Sequence, residues 1–161
     1  MNIFTVSATT LKYLIKLWPP LWFTGIRFDH ISADFRHIRT VMTLRFYNKN
    51  LNGVQFGGNL FAMADPCLMM MIARNLGPEY RVLDKAGDID FIKPGISKVT
   101  ANFYLTDADL DDIRQRTNDG KKYFKEFVID IVDDNKQPVA RVVRTVYIRK
   151  NLLQQDNHKA T

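Results

Sequence analysis

A single cysteine, Cys67, in 161 residues excludes an internal disulfide and points to a reducing, cytoplasmic compartment. Six prolines and eight glycines are too few for a low-complexity segment, and no internal repeat is visible. Histidine is scarce, and the three present show no ligand spacing, so no metal is expected. No apolar run reaches bilayer length. The stretch from Leu11 to Phe23 carries Lys12 and Lys16 and is interrupted at Pro19-Pro20, so neither a span nor a membrane partner is expected. The net charge of +6 raises the question of nucleic acid, but the basic residues are scattered. The densest groups, Lys121-Lys122 and Arg141 with Arg144, are too sparse to track a phosphate backbone, and no nucleic-acid partner is expected.

The chain does have the hydrophobic content, 46% with 12% aromatic, of a folded globular protein, and its length suits one domain over residues 1–161. Thr9 or Thr10 is placed to cap a short helix with apolar positions at Leu11, Leu14, Ile15 and Trp18, which Pro19-Pro20 ends. This helix and turn, residues 1–24, should pack on the domain. Strand-like segments follow at 26–35 and 38–47, then a polar loop from Asn50 to Gly53. A long run from Leu60 to Ala73 reads as a helix, apolar on all sides and therefore wrapped by other structure, with a kink at Pro66. Further strands are expected at 82–92, 99–105, 123–132 and 139–148. A short helix from Asp107 to Arg116 interrupts them, and a turn at Asp133–Gln137 joins the last two. Residues 152–161 read as a flexible tail. About six antiparallel strands around one long central helix make an α+β architecture.

Within the helix, Asp65 is the only charged residue between Leu60 and Ala73. A carboxylate placed there is expected to be buried, which costs several kcal/mol unless it is paired or used. Bonding to backbone groups loosened by Pro66, or pairing with an Arg or Lys nearby in space, would make it structural; otherwise it marks a site. Gly57 and Gly58 stand at the helix start, where unpaired N–H groups and a positive dipole end could hold a carbonyl oxygen. Asp65 lies seven residues on, about 10 Å along a helix. One reacting carbonyl cannot sit near both ends of that distance, so two antiparallel copies of the chain would have to supply them.

The segment Asn50-Leu-Asn-Gly53-Val-Gln-Phe56-Gly57-Gly58, followed by a helix carrying Asp65, resembles the hot-dog superfamily. Its likeness is to the phenylacetyl-CoA thioesterase-like group and its uncharacterised bacterial relatives. The strand ending Ile89-Asp-Phe-Ile-Lys-Pro94-Gly95 is similar to one in that group as well. Phe56 departs from the pattern, which has histidine there. The resemblance implies a hot-dog fold and an acyl-CoA thioesterase-like hydrolase working across a homodimer interface, with dimers able to pair further. It implies catalytic positions at Asp65, Gly57, Gly58 and Asn50, and substrate-binding positions at Phe56, Asn52 and Gly53. The partner is an acyl-CoA or acyl-carrier thioester, and coenzyme A enters only as part of that substrate. The alternative is a non-catalytic acyl-CoA or acyl-carrier-protein binding module of the same fold. Cys67 reads as a buried inert thiol, since a cysteine nucleophile would need His30 or His37 beside it.

Overall fold

The computed structural model describes residues 4–152. Ser7, not Thr9 or Thr10, opens α1 (Ala8–Leu14): its Oγ accepts the Thr10 N–H at 3.1 Å and satisfies one otherwise unpaired donor. Two tight 3-10 turns follow, Ile15–Leu17 and Pro19–Leu21. Trp18 between them is extended, as the residue before a proline tends to be. Leu11, Ile15 and Leu21 are buried, and the segment packs along β1 (Ile26–Ile31).

Strand β1 pairs with β2 (His37–Met42), and both are shorter than the pattern suggests. Ser32 Oγ accepts the Arg36 and His37 N–H groups and turns the chain at the end of β1. Past Met42, Asn48 takes the Arg45 N–H at 2.7 Å and donates Nδ2 to the carbonyls of Thr43 and Thr24, which closes a loop where a longer strand was expected.

The sheet runs β1-β2-β4-β5-β6-β3, with every neighbouring pair antiparallel. Strands β3 (Tyr80–Phe91) and β4 (Val99–Tyr104) flank the Lys93-Pro94-Gly95 corner, while β5 (Lys122–Asp133) and β6 (Pro138–Lys150) form a hairpin. Asp133 Oδ1 accepts the Asn135 and Gln137 N–H groups, and Lys136 adopts φ 60° in that turn. The short helix before β5 spans Asp107–Thr117, and Thr106 caps it. The Thr106 hydroxyl accepts the Asp109 N–H, and the Asp109 side chain accepts the Thr106 N–H.

The central helical stretch is two helices, α2 (Gly57–Ala62) and α3 (Cys67–Leu76), with the Asp107–Thr117 helix as α4. Pro66 has no N–H to donate to Ala62, and the break is wider than a kink. The Ala64 and Asp65 N–H groups turn instead to Phe61 and Ala62, at 3.1 and 3.3 Å. The Met63 carbonyl then accepts the Thr40 hydroxyl at 3.4 Å. Helix α3 is wrapped as expected. Leu68, Met71 and Ile72 are inaccessible, together with Ile38, Phe103, Ile131 and Ile148 from the sheet. Truncating one of these to alanine costs about 2–5 kcal/mol. The expected tail lies, past Leu152, outside the described residues.

Candidate active site

The motif loop is held by its own side chains. Asn50 Oδ1 accepts the Asn52 and Val54 N–H groups at 2.9 and 3.2 Å, and the Asn50 N–H reaches the Val54 carbonyl at 2.9 Å. The oxygen of the Asn50 amide is therefore spent inside the loop, and only its Nδ2 end is left to approach a ligand. Gly53 sits at φ 77° in open space, a conformation that favours glycine. Asn52 is exposed. Next in the chain, Gln55 is buried; its N–H bonds the Gly95 carbonyl at 2.8 Å and its Nε2 bonds that of Ser97 at 3.0 Å. This ties the loop to the corner after β3, and Gln55 Oε1 is buried without a partner.

Phe56 is extended just ahead of α2 and half exposed. The first bonds of the helix run from the Asn59 and Leu60 N–H groups to the Phe56 carbonyl, at 3.0 and 3.1 Å. The Gly57 and Gly58 N–H groups precede them and have no acceptor within their own helix. Both glycines lie against aromatic rings. A Cβ on Gly57 would stand 2.9 Å from Phe91 Cζ, and one on Gly58 would stand 2.6 Å from Phe56 Cε1.

Asp65 differs from its expectation. It lies in the turn between α2 and α3, with a side chain 59% exposed, and is not buried. The Pro66 break turns it outward. It is paired: Arg144 Nη2 donates to Asp65 Oδ1 at 2.8 Å and also lies 3.0 Å from Asp84 Oδ1. Arg144 is 4% exposed and stacks on Phe61, its guanidinium 5.3 Å from the ring centre. Across the ladder it faces Gly87, where a Cβ would come within 3.0 Å of Arg144 Nη1. A bulge in β3 between Asp84 and Ala86 adds one residue, which brings Asp84 and Gly87 to the same side of the strand. Burial pushes the Asp84 carboxyl above its ordinary range; the Arg144 hydrogen bond and charge pull against this, and the Asp65 charge adds to it.

Gly58 and Asp65 share one wall of a cavity of about 250 Å³, with Phe61 and Pro66 beside them and Trp18 and Leu21 opposite. Residues 58, 61, 62 and 65 follow one face of a helix, so the cavity runs along α2 with the glycine at one end and the carboxylate at the other. A wider depression of about 510 Å³ on the outer face of the sheet holds Asp29, Arg39, Lys98 and Asp133. Most of these charges are already paired, Arg39 with Asp29, Lys98 with Asp134 and Lys93 with Asp133, and Lys136 also borders the depression. Cys67 is buried, and its thiol is pushed well up by burial and then by the Asp65 and Asp84 charges. It is no nucleophile. His30 and His37 meet at a tilt with ring centres 4.8 Å apart, His37 stacks on Tyr104, and His37 pairs with Asn102.

The sequence reading missed Arg144, Asp84, Gln55 and Phe61. One of them was visible. Reading Ala140, Val142, Arg144, Val146 and Ile148 as one face of a strand places an arginine in the middle of an apolar row. Those four neighbours are fully buried.

A family model described as a domain of unknown function, DUF4442, matches residues 7–148. The chain belongs to the DUF4442 family. No curated protein matches this DUF4442 chain, but solved structures share its fold. PA5026 from Pseudomonas aeruginosa, of unknown function and described as a probable thioesterase, superposes with a TM-score of 0.81 at 14% identity. That match covers 92% of this chain and 99% of that one. Thioesterase HI1161 from Haemophilus influenzae superposes with a TM-score of 0.66 at 17% identity, covering 94% and 96%. At such identities the likeness shows the fold alone, and that fold is the hot-dog α+β architecture expected from the motif.

Proposed function

We propose that this DUF4442 protein is an acyl thioester hydrolase of the acyl-CoA thioesterase type. The observation that supports the reading most is the cavity along α2, apolar in its middle, with Gly58, whose N–H has no acceptor within its own helix, at one end and Asp65 at the other. In a homodimer with antiparallel central helices, the Gly57 and Gly58 N–H groups of one copy would face Asp65 of the other. They would take the charge that grows on the thioester oxygen. Asp65 would accept the proton of the attacking water, and the tetrahedral adduct would collapse with loss of thiolate, which leaves without an acid. Phe56, in the histidine position, would pack against the acyl group but donate no hydrogen bond. The reading places the work in the cytoplasm, on a coenzyme A or acyl-carrier thioester.

A second reading has specific support: the Arg144 bond to Asp65, together with Phe56, suits a module that binds the acyl thioester and does not cleave it. Thiol release from short, medium, long and aromatic acyl-CoAs, with wild type and Asp65→Asn side by side, separates the two. Turnover that collapses in the mutant supports hydrolysis. Turnover that survives it removes Asp65 from the mechanism. Binding of acyl-CoA by the folded protein with no release from any substrate favours the binding module.

A further inference from the structure

The charge of this chain is unevenly distributed. Residues 1–64 hold seven Lys and Arg (Lys12, Lys16, Arg27, Arg36, Arg39, Arg45, Lys49) and two acids (Asp29, Asp34), so +5 of the net +6 lies there. Arg36 and Arg39 are paired, with Asp107 and Asp29. Lys16, Arg27, Arg45 and Lys49 are exposed, and none is among the ion pairs of the described residues.

The same region carries several strongly exposed large apolar side chains. Leu17, Trp22 and Phe23 are 69, 55 and 80% exposed, and Phe46 is 85% exposed. The two stretches lie side by side, because Asn48 donates to the Thr24 carbonyl, and Trp22, Tyr47, Lys16 and Arg27 border one depression of about 380 Å³. The patch is therefore aromatic and aliphatic at its centre, with Lys16 and Arg27 at its border.

We propose that this face docks the protein on an anionic membrane surface. Trp and Tyr prefer the headgroup level, where an apolar ring meets water. Basic residues beside them gain about fivefold each in affinity from an anionic surface. A second copy is the weaker occupant. A symmetric contact sets the same patch against itself and would bring these unpaired cations together. No helix of the described residues is long and apolar enough to cross a bilayer. The proposal departs from the expectation of no membrane partner only in adding a surface contact, which needs no span.

The chain reports on itself, since its only two tryptophans, Trp18 and Trp22, both lie in this segment. The purified protein is mixed with vesicles of phosphatidylcholine alone or with about one-third phosphatidylglycerol, and sedimentation and tryptophan emission are followed. The expected result is co-sedimentation and a blue shift with anionic vesicles only, weakened by ~0.5 M salt. Trp22→Ser with Phe23→Ser, which leaves Trp18 as reporter, should lose at least about tenfold in affinity; Lys16→Glu should lose about fivefold or more. All should keep wild-type far-UV circular dichroism. No binding to either vesicle, equal binding to both, or wild-type binding by the variants overturns the proposal. So does a blue shift that follows protein concentration without vesicles, which would assign the face to a second copy. None of these readouts needs turnover, so the proposal stands or falls apart from the hydrolase reading.

Discussion

Arg144 Nη2 donates to Asp65 Oδ1 at 2.8 Å and reaches Asp84 Oδ1 at 3.0 Å, so one buried guanidinium serves two carboxylates of different exposure. Asp84 is a quarter exposed and Asp65 more than half. The pairing with Asp84 is therefore the more desolvated of the two, and Asp65 is the carboxylate that solvent or a ligand reaches.

Arg144→Met should cost about 3 kcal/mol in denaturant unfolding, because it leaves a desolvated carboxylate without its cation. Arg144→Lys should recover part of this but not the two-sided contact, since an ammonium lacks the planar fork. The pH dependence follows from Asp84. Its pKa is raised above 3.8 in the folded protein, so its ionisation disfavours the fold as pH rises through the raised value. Without Arg144 that penalty grows. The deficit of Arg144→Met should be largest at neutral pH and shrink as pH falls toward 4.

Gly57→Ala separates catalysis from folding. The added Cβ meets Phe91 Cζ at 2.9 Å, but that ring is 55% exposed and can swing away. Alanine is also the better helix residue by about 0.5–1 kcal/mol. Thermal stability should hold or rise slightly while thioester turnover falls at least about tenfold. A variant that turns over as wild type would show that no substrate carbonyl needs the space a Cβ takes at position 57.

Gln55 anchors the motif loop from beneath. Gln55→Leu removes the Nε2 bonds to the carbonyls of Ser97 and the buried Met42, which should cost about 1–3 kcal/mol. Because the loop carrying Asn50 and Phe56 then keeps only the backbone bond to Gly95 and loses its tie to Ser97, affinity for an acyl-CoA should fall too. Chemical denaturation and a ligand titration check the two effects separately.

Acid should loosen α4 from β5. Asp112 is held below its ordinary 3.8 by the Lys125 hydrogen bond, with Tyr123 adding to it. A depressed carboxylate contributes stability that is present above the unfolded pKa and is lost as pH falls through the folded one. Lys125→Met should lower the melting temperature at neutral pH and flatten its decline below pH 3.8. An acid limb of unchanged slope would count against this pair.

Local pattern made much of this fold legible. Alternation along β4, β5 and β6 marked strands, the Asp133–Gln137 turn announced the β5–β6 hairpin, and the apolar run after Gly58 marked the helix that the sheet wraps. The glycine pair at the head of that helix and Asp65 beyond it could be singled out from composition and spacing. These are short-range properties, carried by neighbouring residues and periods of two or 3.6. What the chain alone could not decide was where Asp65 points and what it meets. Its exposure follows from the break at Pro66, and its partner is 79 residues away. The inner-face register of β6 and the bulge beside Asp84 bring Arg144 to it. A carboxylate's surroundings depend on which distant strand lies next to it, and that adjacency is settled by sheet order and strand register, which only the folded chain possesses.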